Sequence, residues 1–101
     1  MTSDFTVPDD MKVHYLRRKV DELSASRDQI ASGNFEMANT LAHQMKGNAA
    51  SFEFPILAQL AITLETAASN ENSVQTIEIL NDIQKAVDGL LRRLVKNKPE
   101  A

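Results

Sequence analysis

The chain has no cysteine, and only three glycines and three prolines among its 101 residues. Without cysteine there is no disulfide framework and no thiolate metal site, and a reducing compartment is permitted, so a cytoplasmic location is expected. The scarcity of glycine and proline disfavours long loops and any collagen-like or disordered reading. Histidine occurs twice, as His14 and His43, and no HExxH spacing exists. A zinc site would need carboxylates to complete it, so no metal and no cofactor is expected. No stretch approaches about 18 consecutive apolar residues, which leaves no candidate for a membrane-spanning helix. The opening MTSDFTVPDD holds neither a basic region nor an apolar run, so no signal peptide is expected. Net charge is −3 and the pI is about 5.3, which argues against a nucleic-acid binder. Phosphate-cradling GxxxxGKS/T loops and kinase-type glycine loops are missing as well, so the chain has no means of activating ATP.

What is present is helical periodicity. Composition is 43% apolar and 25% charged, as in an ordinary globular chain, and the length suits one domain over residues 1–101 with a real core. Residues 1–7 read as a short flexible lead. Pro8, Asp9 and Asp10 then make a helix start, and Leu16, Val20, Leu23 and Ile30 recur at helical spacing to about residue 31. Met11, Val13 and Tyr15 extend that stripe upstream. Arg17, Arg18 and Lys19 read as a solvated face, and His14 as a surface or seam residue. Gly33 suits a left-handed cap and Asn34 the N-cap of a second helix over about 35–52. Pro55 ends that helix and opens a third over 55–69, with Leu57, Leu60, Ala61, Leu64 and Ala68 on its apolar face. After a turn at 70–72, Asn72 and Gln75 have capping-box spacing for a fourth helix over 73–96. Its stripe runs from Ile77 through Leu80, Ile83 and Val87 to Leu94, and Arg92, Arg93 and Lys96 complement the negative end of its dipole. Strand signals are absent. The expected fold is all-α, an antiparallel up-down-up-down four-helix bundle.

The second helix holds the candidate site. Ala38, Leu41, Ala42, Met45, Ala49 and Phe52 share one apolar face. His43 lies roughly 150° from its centre, at about 100° per residue, and so points to water. Asn39, Lys46, Gly47 and Ala50 cluster around it. A glycine inside a helix costs about 1 kcal/mol relative to alanine. Gly47 sits one turn beyond His43 on the same stripe, where with Ala50 it clears space for something large to approach. Lys46 can bring its ammonium to whatever the imidazole carries. A lone exposed histidine is most simply a solvated polar residue; His43, Lys46 and Gly47 as a set favour a nucleophile.

The segment AHQMKGNAASFEFPILAQLAITLE resembles the signature of histidine-containing phosphotransfer (HPt) domains, in which an HxxKG helix is followed by a helix ending in Leu-Glu. The upstream YLRRKVDEL and the GNF break resemble that family too, and the similarity covers roughly residues 10 to 95. The resemblance implies that His43 is phosphorylated on Nε2, that Lys46 neutralises the phosphoryl oxygens, and that Gly47 leaves room for the partner. Glu65, after Leu64, matches an acidic or amide position that meets the imidazole Nδ1 in relatives; alone it reads as a surface residue. A carboxylate there fixes the tautomer and leaves the Nε2 lone pair free. Relatives usually have glycine at position 53, where this chain has Glu53, strained if the helix end is left-handed.

The function implied is a phosphorelay intermediate, a phosphocarrier and not an enzyme. It would accept a phosphoryl group from the aspartate of a response-regulator receiver, whose magnesium site supplies most of the electrostatic catalysis, and pass it to another. A hybrid sensor histidine kinase is a further partner the resemblance allows, and a monomer without nucleic acid or membrane is expected. The alternative is a helical interaction module that binds receivers or other signalling proteins without phosphotransfer. A carboxylate-metal bundle enzyme is disfavoured, since ExxH motifs on paired helices are missing.

Overall fold

Four amphipathic stretches become four helices: α1 (Asp9–Ala31), α2 (Glu36–Asn48), α3 (Pro55–Ser69) and α4 (Ser73–Lys96). The structure, a computed structural model, describes residues 7–96; apart from Val7, the lead expected at the start of the chain lies outside the described residues. Among the described residues there is no strand, and no helix is long and apolar enough to cross a membrane. Each helix packs on the next and α4 closes against α1. Cross-helix bonds pair residues in opposite order, Asn39 with Ser69 and Lys46 with Glu65 on α2 and α3. The protein is a four-helix bundle.

The three turns share one device. Gly33 (φ +86°) follows α1, Glu53 (φ 69°) precedes α3 and Glu71 (φ 53°) follows α3, all in the left-handed region. At each, two amides bond back to the preceding helical turn. The Gly33 N–H donates to the Ile30 carbonyl and that of Asn34 to Gln29; the Glu53 N–H donates to Ala50 and that of Phe54 to Ala49. This is the Schellman arrangement that satisfies the last carbonyls of a helix. The Asn34 side chain accepts from the Glu36 N–H at 2.9 Å, and that of Asn72 from Gln75 N–H at 3.0 Å. Asn72 thus caps α4 as expected, whereas Asn34 stands one position before the N-cap of α2, which is Phe35 and makes no side-chain cap bond.

Two sequence expectations need correction here. The second helix, expected to reach residue 52, ends at Asn48. Beyond it the Phe52 N–H is shared between the carbonyls of Asn48 and Ala49, the bifurcated bonding of a helix end that tightens into its turn. Lys19 is not solvated. It is 2% exposed, with its Nζ 4.8 Å from the centroid of the Tyr15 ring and 2.7 Å from Glu22 Oε1. Successive helical residues turn by about 100°, so Arg17 and Arg18 face water while Lys19 swings in one turn after Tyr15. Its methylene stem is covered and its ammonium is met by a carboxylate and a ring face.

The core follows the predicted stripes: Leu16, Leu23, Met45, Leu57, Leu64, Leu80, Ile83 and Val87 are fully buried. Met11, placed on the first stripe, is exposed. Leu90, Leu91 and Leu94 are only half-buried, packed against the edge of the core. At that end Tyr15 stacks on Phe52 with centroids 4.3 Å apart, and its hydroxyl donates to Asn48 Oδ1 at 2.7 Å. Burial pushes the Tyr15 phenol up to about 12.

Candidate functional site

Burial of Ala38, Leu41, Ala42 and Met45 fixes how α2 is rotated. That rotation leaves His43 on the outside, its side chain 75% exposed. Glu65 comes up beside it from α3, where Leu64 and Ala68 anchor the helix in the core. Its Oε2 is 3.5 Å from His43 Nδ1, while its Oε1 accepts a hydrogen bond from Lys46 Nζ at 2.7 Å. One carboxylate therefore bridges the imidazole and the ammonium. Its hydrogen bond to Lys46 is the main reason the Glu65 carboxyl is held below the ordinary carboxylate value, and His43 contributes less. An ionised Glu65 favours the proton on Nδ1, which leaves the Nε2 lone pair free on the far side of the ring.

The other expected residues fall around this trio with differences. Gly47 is exposed, and a Cβ added to it would meet no atom outside its own helical turn within 4 Å, so the ground next to His43 is open. Asn39, one turn before His43, is half-buried and accepts a hydrogen bond from the Ser69 hydroxyl at 3.2 Å. Ala50 is exposed but lies beyond the last residue of α2, so it borders the site from the turn and not from the helix stripe. His14 stands apart, exposed on α1.

Sequence reasoning missed the ion pair of Lys46 with Glu65, since nothing local aligns residues 19 positions apart. It also missed an apolar hollow between α1 and α2, lined by Ala25, Met37, Thr40, Leu41 and Gln44 and edged by Asp21 and Glu22. The exposed Met37 was the available signal, an apolar side chain off the core face of α2.

The family model of the Hpt domain matches residues 11–95 and so takes in all four helices and the whole of the His43 site. The chain belongs to the Hpt domain family. Hpt domains are helical phosphocarriers, not enzymes, of two-component signalling, and they interact with receiver domains and kinases. No curated protein and no solved structure matches this Hpt domain.

Proposed function

We propose that this Hpt domain is the intermediate of a multistep phosphorelay, with His43 as the phosphorylated residue. The observation that carries the reading is the exposed imidazole of His43 with the Glu65 carboxylate behind its Nδ1 and Lys46 on the same carboxylate. In the forward step the Nε2 lone pair attacks the phosphorus of a receiver's aspartyl phosphate. A P–N bond forms as the P–O bond to the aspartate breaks, and the electron pair leaves on the aspartate carboxylate. No proton has to leave Nε2, since the neutral ring carries its proton on Nδ1. Positive charge that develops on the ring is met at Nδ1 by Glu65. Lys46 turns from Glu65 toward the phosphoryl oxygens, where an ammonium is a strong partner. The aspartate of a second receiver takes the group in the reverse of this step.

Transfer needs the aspartyl phosphate and Nε2 in line at about 3 Å. The receiver therefore seats over Asn39, Lys46, Gly47 and Ala50, with the open space beside Gly47 taking its active-site rim. A hybrid sensor histidine kinase would be one source of such a receiver, and the domain would work as a cytoplasmic monomer with one imidazole per docked receiver.

The test is phosphoryl uptake from phosphorylated receivers. His43→Gln should keep its fold and take up no phosphate, whereas His14→Gln should behave as wild type. Radiolabelled ATP with magnesium, without a partner, should label neither. Binding of receivers without uptake by the wild type would instead support the interaction module.

A further inference from the structure

On the side of the bundle away from α2 and α3, α1 and α4 leave a second groove. Two adjoining hollows that share Arg17 and Val95 make it up, the first lined also by Asp10, Val13 and His14 and the second by Leu91, Arg92 and Lys96, so that Val13, Leu91 and Val95 give it an apolar floor. Leu91 and Val95 are one helical turn apart and form a short stripe, and Val95 is 48% exposed. Cations flank the stripe on both sides. Arg92 and Lys96 run beside it along α4, one position off and again one turn apart, and Arg17 faces them from α1. Arg17, Arg92 and Lys96 take part in no ion pair among the described residues. The acid in the lining, Asp10, sits at one end, where α1 begins.

We propose that this groove docks an acidic amphipathic helix of a partner protein. An incoming helix that lays apolar residues at i, i+3 and i+4 along the floor would bring its two flanks against Arg17 on one side and Arg92 and Lys96 on the other. Glutamates or aspartates on those flanks complement both rows, the charge pattern by which packed helices select partners. A second copy of the chain is disfavoured, because a two-fold contact would bring like rows of arginine and lysine together. An anionic membrane is disfavoured too, since the apolar residues lie in a trough between helices on a chain of net charge −3, not on a protruding face. Because the groove belongs to α1 and α4, its occupant would hold the domain while His43 stays free for a receiver.

The probe is a synthetic amphipathic helix of about 18 residues, roughly 27 Å long, with leucines on one face and glutamates on both flanks. A control peptide has lysine at every glutamate. Titration into the nitrogen-15-labelled full chain should shift the amides around Val13, Arg17, Leu91 and Val95 and leave those around His43 in place. Affinity should fall at least tenfold in Arg92→Glu/Lys96→Glu, fall with added salt, and be unchanged in His43→Gln. The lysine peptide should bind at least tenfold more weakly. Equal binding of the two peptides, shifts centred on the α2–α3 face, or no binding by the glutamate peptide would overturn the proposal. So would a concentration-dependent dimer that Val95→Glu dissolves, or sedimentation with anionic vesicles that Arg92→Glu/Lys96→Glu abolishes.

Discussion

The Glu65 carboxylate stands 3.5 Å from His43 Nδ1, and changing it separates charge from shape. Glu65→Gln keeps the side-chain volume but removes the partner of Lys46 and the anionic acceptor at Nδ1. Transfer from a phosphorylated receiver should slow by about 10- to 100-fold, by analogy with the loss of a carboxylate that orients a metal-bound imidazole, with the melting temperature nearly unchanged. A wild-type rate would mean that the carboxylate is a bystander. Tyr15 gives a second test at this scale. Its folded pKa, about 12, lies above the ordinary 10, because burial disfavours the phenolate. A raised folded pKa stabilises the protein fully below pH 10, and that contribution is lost as pH rises through 12. Tyr15→Phe should therefore cost about 1 kcal/mol at neutral pH, from the lost bond to Asn48, and should flatten the fall in stability between pH 10 and 12. Glu53 has the opposite sign. Its carboxyl is held below 4.5, first by the hydrogen bond from Lys12, so its contribution is present above 4.5 and lost as pH falls through the lowered value. The gap in melting temperature between wild type and Glu53→Gln should close over that acid range.

At the scale of elements, the proposed docking face of α2 can be tested at Gly47. Gly47→Leu exchanges a poor helix former for a good one, and a Cβ there meets no atom outside its own helical turn within 4 Å, so the variant should be as stable as wild type or more stable by about several tenths of a kcal/mol, read from its melting curve. On the proposed docking its transfer rate should collapse, because any side chain there would stand between the two proteins. Much of this helix is legible in the sequence. Apolar period, Gly33, Asn34 and Pro55 are local signals, and they place His43 outward and α3 where it starts. The register between helices is not local. Lys19 reads as the third member of a solvated basic run because its burial depends on the neighbour that α1 packs against and on the position of Tyr15. Glu53 illustrates both cases. The left-handed turn is expected from the glycine that relatives carry there, but the partners of its side chain, Lys12 Nζ at 2.8 Å and the Val7 N–H at 3.2 Å, lie 41 and 46 positions away. The same limit hid the pairing of Lys46 with Glu65.

For the whole molecule, the four helices divide the surface into a face that carries the imidazole, between α2 and α3, and an opposite groove between α1 and α4. In the proposed relay the bundle would supply rigidity, a nucleophile and a cation, while the chemistry of phosphoryl activation would reside in the receiver. The central claim is that phosphate passes through Nε2 of His43. Nitrogen-15 NMR of the ring-labelled protein, recorded after incubation with a phosphorylated receiver, tests it most directly. The account predicts that His43 Nε2 acquires coupling to phosphorus, that Nδ1 keeps its proton, and that His14 is unchanged. Phosphorus on Nδ1, on His14, or on neither ring would contradict it.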